Sequence, residues 1–168
     1  YGQGRDHPKS IDDADADGRR FTSLIHGEHL SNVAVLGEGA GSTINGQGEY
    51  WWTMFKNGSE NHTRGHLVEF MYSQNVEVSG LTLANSPFWT THFYDCDGVH
   101  VHHVHILAPD GSPNTDGFDP DSSRNVLIEH STYAGGDDCI AIKSGTYLSP
   151  IYLFIHPFFE GGLVKHLI

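Results

Sequence analysis

Asn75-Val76-Glu77-Val78-Ser79-Gly80-Leu81-Thr82-Leu83 decides how this chain folds. Apolar and polar side chains alternate on both sides of Ser79-Gly80, and a period of two is the mark of a strand with one face buried. The leading unit recurs as Asn32-Val33-Ala34-Val35, Gly98-Val99-His100-Val101 and Asn125-Val126-Leu127-Ile128. The trailing unit recurs as Val104-His105-Ile106. Successive starts of the leading unit lie 43, 23 and 27 residues apart. Taking the 43 as two turns gives a period near 20 to 27 throughout. A repeat of this length predicts a solenoid whose turns pair with their neighbours, rising by the inter-strand spacing of about 4.8 Å. A β-sandwich has similar strands but no equivalent residues at a fixed period. The fold expected is therefore all-β, a parallel β-helix.

Outward from the repeat, composition narrows the function. The 168 residues carry a net charge of −12, which argues against a nucleic-acid partner, since phosphate binding requires Lys and Arg. No run reaches the roughly 18 apolar residues of a membrane helix. No signal peptide is recognisable, and the chain starts at Tyr1. Thirteen histidines are scattered through the sequence. Cys96 and Cys139 make no disulfide framework and read as two buried thiols. Residues 1–20 show no period and read as a surface loop. Their run Asp13-Ala14-Asp15-Ala16-Asp17 invites a calcium loop, but the twelfth position from Asp13 is Leu24 rather than Glu. The aromatic stretch Trp51-Trp52-Thr53-Met54-Phe55 breaks the repeat and also reads as a loop. Just beyond it, Asn57-Gly58-Ser59 and Asn61-His62-Thr63 are N-glycosylation acceptors, a hint of secretion.

The solenoid gives meaning to two acidic motifs, Asn114-Thr115-Asp116-Gly117-Phe118-Asp119 and Gly135-Gly136-Asp137-Asp138-Cys139. Asp116 and Asp137 are 21 residues apart, about one turn. Asp116 should therefore sit beside Asp137 or Asp138 on the next turn. Like charges at such range cannot all ionise freely, so at least one pKa should rise, placing a proton donor beside an acceptor. Glycoside hydrolysis needs that pairing. Spacing alone leaves a calcium site or a surface turn open, with Asp119-Pro120-Asp121 adding acids nearby.

The two motifs, continued by Ile140-Ala141-Ile142-Lys143-Ser144-Gly145, resemble the signature pair of the polygalacturonases, glycoside hydrolase family 28. Ile44-Asn45-Gly46-Gln47-Gly48, Trp51-Trp52, Asn85-Ser86-Pro87-Phe88-Trp89-Thr90 and Asp119-Pro120-Asp121-Ser122-Ser123 resemble its plant-type branch. The resemblance covers roughly residues 21–145. It implies a right-handed, single-stranded parallel β-helix that hydrolyses α-1,4 bonds of polygalacturonate in pectin with inversion. It implies that Asp137 is the general acid, that Asp116 and Asp138 activate water, and that Asn114, Asp119 and Lys143 serve substrate binding or the motif's geometry. Lys143 is expected to meet a galacturonate carboxylate or to form a salt bridge, and Trp89 to stack on sugar or in the core. No cofactor and no metal ligand are expected. Carboxylates stacked on adjacent turns suggest the short gap of retaining enzymes, so inversion rests on the resemblance. A rhamnogalacturonan hydrolase is disfavoured because Asp138 stands where that group tends to carry Glu.

The chain departs from the family beyond Gly145. Neither a Gly-His-Gly nor an Arg-Ile-Lys motif occurs, and the apolar run Tyr152-Leu153-Phe154-Ile155 lacks the repeat. Three segments are thus expected: a loop (1–20), a partial, truncated β-helix catalytic domain (21–145) and an atypical apolar tail (146–168). The tail either leaves an open strand edge or caps the last turn. The function expected is pectin hydrolysis by a secreted, monomeric, cell-wall protein. The alternative is an inactive β-helix fragment that at most binds polysaccharide.

Overall fold

The computed structural model describes residues 20–39 and 41–143 with their side chains, and the backbone of 5–6, 19, 153–155 and 166–167. The chain forms a parallel β-helix. Each turn lays one short strand on a four-stranded sheet, then bends and lays a second strand on a seven-stranded sheet. The short strands are β3 (Ile25–Glu28), β6 (Val68–Met71), β8 (Thr91–Tyr94) and β10 (Phe118–Asp121). The second set is β4 (Ser31–Leu36), β7 (Gln74–Ala84), β9 (Asp97–Leu107) and β11 (Arg124–Glu129), flanked by β5 (Thr43–Asn45) and β12 (Thr132–Ala134).

Register follows the repeat. Val76 pairs with Val99 and Val99 with Val126, while Val78, Val101 and Ile128 form the next row. All six side chains are buried in the core, where each apolar side chain contributes about 1.5–3 kcal/mol. The residues between them, Glu77, His100 and Leu127, point outward. The leading and trailing units are single eleven-residue strands in β7 and β9, bent at one residue. That bend is left-handed: Gly80, His103 and His130 have φ of 65°, 52° and 46° and occupy equivalent places on three turns. A second left-handed corner joins the sheets at His29, Tyr72, Asp95 and Ser122. A third row, Asn32, Asn75, Gly98 and Asn125, opens the repeating unit. Asn is among the few L-residues that adopt this conformation readily, and Asn75 Nδ2 donates to Asn32 Oδ1 at 3.1 Å.

Two expectations fail on the first large turn. β3 pairs directly with β6 and β4 with β7, so the 43-residue spacing is one turn, not two. The extra length holds α1 (Glu49–Lys56), where the aromatic stretch had read as a loop. Eight residues make a marginal helix in isolation. Docking holds this one: Trp52 is buried and its Nε1 donates to Ser86 O at 3.0 Å. Trp51 packs edge-on against Phe21 with ring centroids 4.8 Å apart. Glu49 in the first turn and Lys56 in the last suit the helix dipole.

The ends of the described chain add strand pairings. β1 (Arg5–Asp6) pairs antiparallel with β2 (Arg19–Arg20), inside the segment expected to be loop throughout. β13 (Ala141–Ile142) begins a further turn and pairs with β15 (His166–Leu167). β14 (Leu153–Ile155) pairs in parallel with Val126–Ile128, so of the two expectations for the tail, an open edge or a cap, this edge of β11 is the occupied case. Cys96 and Cys139 are buried free thiols, each pushed up to about 11 by burial.

Candidate active site

Asn114-Thr115-Asp116 leads into β10 at the end of the four-stranded sheet. Thr90 N donates to Asp116 O at 2.8 Å on one side, and Gly117 N donates to Asp138 O at 2.9 Å on the other. Three successive turns are therefore stitched together at the acids. Gly117 is required there, because a Cβ would lie 2.5 Å from Cys139 O and 2.9 Å from Tyr133 Cδ2. The stacking brings together Asp116, Asp137 and Asp138, with one carboxylate oxygen of each within 4.8 Å of the others. Asp116 is 6 % exposed, whereas Asp137 and Asp138 are half-buried. Burial, reinforced by the Asp137 charge, pushes the Asp116 carboxyl up to about 7, and Lys143 opposes the rise. Such a trio can share a proton, and three converging carboxylates can also hold a hard cation.

Tyr133 links the two acidic motifs. Its hydroxyl donates to Thr115 O at 3.2 Å and accepts from Asp137 N at 3.1 Å. Burial pushes the phenol well above its usual range, so it stays protonated and keeps both bonds. The sequence reading missed Tyr133, which looks like any inward strand residue. It also missed Arg64, which is buried and donates to Pro87 O at 2.8 Å, Pro113 O at 2.9 Å and Asn114 Oδ1 at 2.8 Å. Arg64 thereby fixes the loop that carries Asp116, and Asn114 spends its carboxamide oxygen on that clamp. Asn114 sits at φ 56°, a conformation Asn tolerates.

Asp119 is fully buried, and neither of its oxygens accepts a hydrogen bond. Lys143 Nζ stands 3.3 Å from Asp119 Oδ1 and 3.8 Å from the centre of the Trp89 ring. Burial first, then the Asp116 charge, hold the Asp119 carboxyl well above its normal value, while Lys143 opposes this. The Lys143 side chain is only 10 % exposed, so its ammonium is committed to this internal pair. Trp89 is buried between Phe88 and the His66 ring, at centroid distances of 4.8 and 5.3 Å.

Beneath Trp89 the outward face of the same sheet is itself buried. His92 Nδ1 lies 3.0 Å from Glu69 Oε1 and Nε2 lies 3.4 Å from Asp121 Oδ2. Ser23 Oγ donates to Glu69 Oε2 at 2.7 Å. Burial alone lowers the His92 pKa, but the two acids outweigh it and the net direction is up. His66, Glu69 and His92 also bring ligand atoms within 4.8 Å of one another. The Arg20 guanidinium against His66 Nε2 makes that cluster a poor seat for a cation. Separately, a groove of about 810 Å³ between α1 and the 109–112 loop, edged by Tyr50, Trp52 and Asp110, holds none of the three carboxylates. No helix among the described residues is long and apolar enough to cross a membrane.

The sequence profile of the glycosyl hydrolases family 28 matches residues 10–155. A probable polygalacturonase of Vitis vinifera is 44 % identical over 145 residues, covering 86 % of this chain and 27 % of that protein. An endo-polygalacturonase of Pectobacterium carotovorum subsp. carotovorum is 33 % identical over 150 residues, 82 % of this chain and 36 % of that one. Among solved structures, a polygalacturonase from Erwinia carotovora ssp. carotovora superposes with a TM-score of 0.70 at 29 % identity, over 89 % of this chain and 42 % of that one. A Thermotoga maritima exopolygalacturonase superposes with a TM-score of 0.64 at 26 % identity, over 76 % of this chain and 36 % of that one. The chain thus spans about a quarter to a third of the length of the curated relatives it matches.

Proposed function

The chain belongs to the glycosyl hydrolases of family 28, and from that premise we propose that Asp116, Asp137 and Asp138 hydrolyse the α-1,4 bonds of polygalacturonate. Asp137 gives its proton to the glycosidic oxygen as the bond to the anomeric carbon breaks. Asp116 and Asp138 take a proton from a water whose oxygen bonds to that carbon from the opposite face, so one sugar leaves with inverted configuration. Burial and the Asp137 charge raise the Asp116 carboxyl to about 7, so a proton is available to the trio near neutral pH. Asp119 and Lys143, paired with each other, and Asn114, clamped by Arg64, support the trio from behind. The observation that carries this reading is the convergence of the three carboxylates with one pKa raised to about 7.

A reducing-end assay on polygalacturonate tests the activity. Turnover is expected, and Asp137→Asn lowers it by about 10²–10⁴-fold. Binding of polygalacturonate without new reducing ends establishes the alternative, a fragment that binds and does not cleave. Because so short a carboxylate gap is typical of retention, the anomer of the first product, followed by proton NMR, decides between inversion and retention. Secretion to the cell wall, and action there as a monomer, belong to the same proposal. Asn57 and Asn61 are exposed and can accept glycans, which a mobility shift on deglycosylation of the secreted protein reads out.

A further inference from the structure

Five histidines, His100, His102, His103, His105 and His130, gather on the outward side of the seven-stranded sheet. Adjacent strand residues normally point to opposite faces. His102 and His103 do not, because the left-handed bend at His103, φ 52°, folds its ring back toward its neighbour. Their two Nδ1 atoms meet at 2.9 Å. His102 Nε2 lies 3.2 Å from Glu77 Oε1 across the sheet. With its Nε2–H donated to Glu77, His102 accepts the His103 Nδ1–H at its own Nδ1, and an ion takes that lone pair by displacing the His103 proton, with the carboxylate orienting the imidazole behind it. Two ring nitrogens about 2.0–2.1 Å from one metal and at right angles to each other are ~2.9 Å apart, whereas tetrahedral ligands stand ~3.4 Å apart. With the bridging proton displaced and the ring positions kept, the spacing suits square-planar or octahedral coordination, the preference of Cu²⁺ and Ni²⁺ over Zn²⁺. His102 is 23 % exposed and Glu77 44 %, and His103 is exposed, so an ion has access. His130 of the next turn stacks on the His103 ring at 5.2 Å and fixes its orientation. The net charge of −12 draws cations toward the chain.

We propose that His102 and His103 form a surface site for one divalent transition-metal ion, Cu²⁺ or Ni²⁺ in preference to Zn²⁺, held through both Nδ1 atoms with Glu77 orienting His102. The site departs from the sequence expectation of no metal ligand. It lies on the other sheet from the carboxylate trio and does not depend on hydrolysis.

Titration of the purified chain with Cu²⁺, followed by calorimetry and electron paramagnetic resonance, tests it. One equivalent should bind with the splitting pattern of two imidazole nitrogens, and Zn²⁺ should bind more weakly. His102→Ala and His103→Asn should each abolish that signal; Asn suits the left-handed corner and so preserves the bend. Glu77→Gln should weaken binding about 10–100-fold. His105→Ala should leave binding unchanged, because His105 Nδ1 pairs with Thr132 Oγ1 instead. Circular dichroism of each variant separates loss of the site from loss of the fold. A well-folded His102→Ala that still binds one equivalent with the two-nitrogen signal overturns the proposal. So does a signal lost on His92→Gln and kept in both surface variants.

Discussion

Glu69 and His92 are register neighbours on adjacent turns of the four-stranded sheet, and Glu77 and His100 are the same pair on the seven-stranded sheet. Both pairs are 23 residues apart, and both point away from the core. Their surroundings are opposite. Glu69 and His92 are sealed under Trp89 and held by Ser23, Asp121 and His66. Glu77 and His100 face solvent, and each takes another partner: Glu77 turns to His102, and His100 Nε2 turns to Glu129 Oε1 at 2.9 Å. The same two side chains in the same register therefore make a fixed ionic network in one place and an adaptable surface in the other. Burial explains the difference, since a desolvated charge must keep its partner while an exposed one is solvated by water.

The comparison breaks most visibly at Glu69. Glu69→Ala leaves His92 with Asp121 alone in a buried site, and unfolding in urea should show a loss of about 3–5 kcal/mol. A loss under 1 kcal/mol would mean that water reaches the network and the two sheets are not different in kind. The next effect lies at Asp116, whose pKa rises from 3.8 unfolded to about 7 folded. A raised carboxyl costs nothing below pH 3.8, destabilises increasingly as pH rises to about 7, and costs its full amount above that. Asp116→Asn should thus stabilise the fold at pH 8 by as much as ~4 kcal/mol and change nothing at pH 3.5, measured by paired urea titrations. His92 tilts the same way: its raised pKa gives stability that is complete below 6.5 and is lost as pH rises through the folded value.

Arg64→Met should cost about 2–3 kcal/mol, because three acceptors lose charged donors inside the fold. Its hydrogen-exchange signature should be confined to the segments around Pro87 and Pro113-Asn114; protection lost evenly over all turns would argue against a local clamp. The smallest effect is expected on the open sheet. Glu129→Gln should change stability by less than ~0.5 kcal/mol in thermal melts, as surface pairs generally do. A larger loss would place the exposed histidine face in the same class as the buried network.

The acidic pair was legible because its spacing is within one residue of a turn. Asp116 and Asp137 lie 21 residues apart while Phe118 bridges to Ile140, 22 residues on. The expected rise of one pKa falls on Asp116, the most buried of the trio, where the family pattern gives the donor's role to Asp137. Burial is a property of what packs above a residue, and no local pattern reports it. For the same reason the sequence left Lys143 open between a substrate carboxylate and a salt bridge, and the structure pairs it with the enclosed Asp119. Arg64 and Tyr133 carried no signal, since the partners that tie them to the Asp116 loop, Asn114 and Thr115, lie 50 and 18 residues away.

Alternation of period two and the repeated Asn-Val unit determined by themselves that the chain is a parallel β-helix, because side chains that alternate and recur can all be buried only by stacking turns. Only the tertiary structure decided that 43 residues make one turn. Tyr50, Trp51, Trp52, Thr53 and Phe55 favour strands as readily as a helix, and it is the docking of Trp52 beneath Ser86 that selects the helix. Only the tertiary structure brought His130 onto His103 and its neighbours. Turns of 43, 23, 27 and 22 residues share no common period in sequence, and it is inter-strand hydrogen bonding that aligns Gly80, His103 and His130 in one corner.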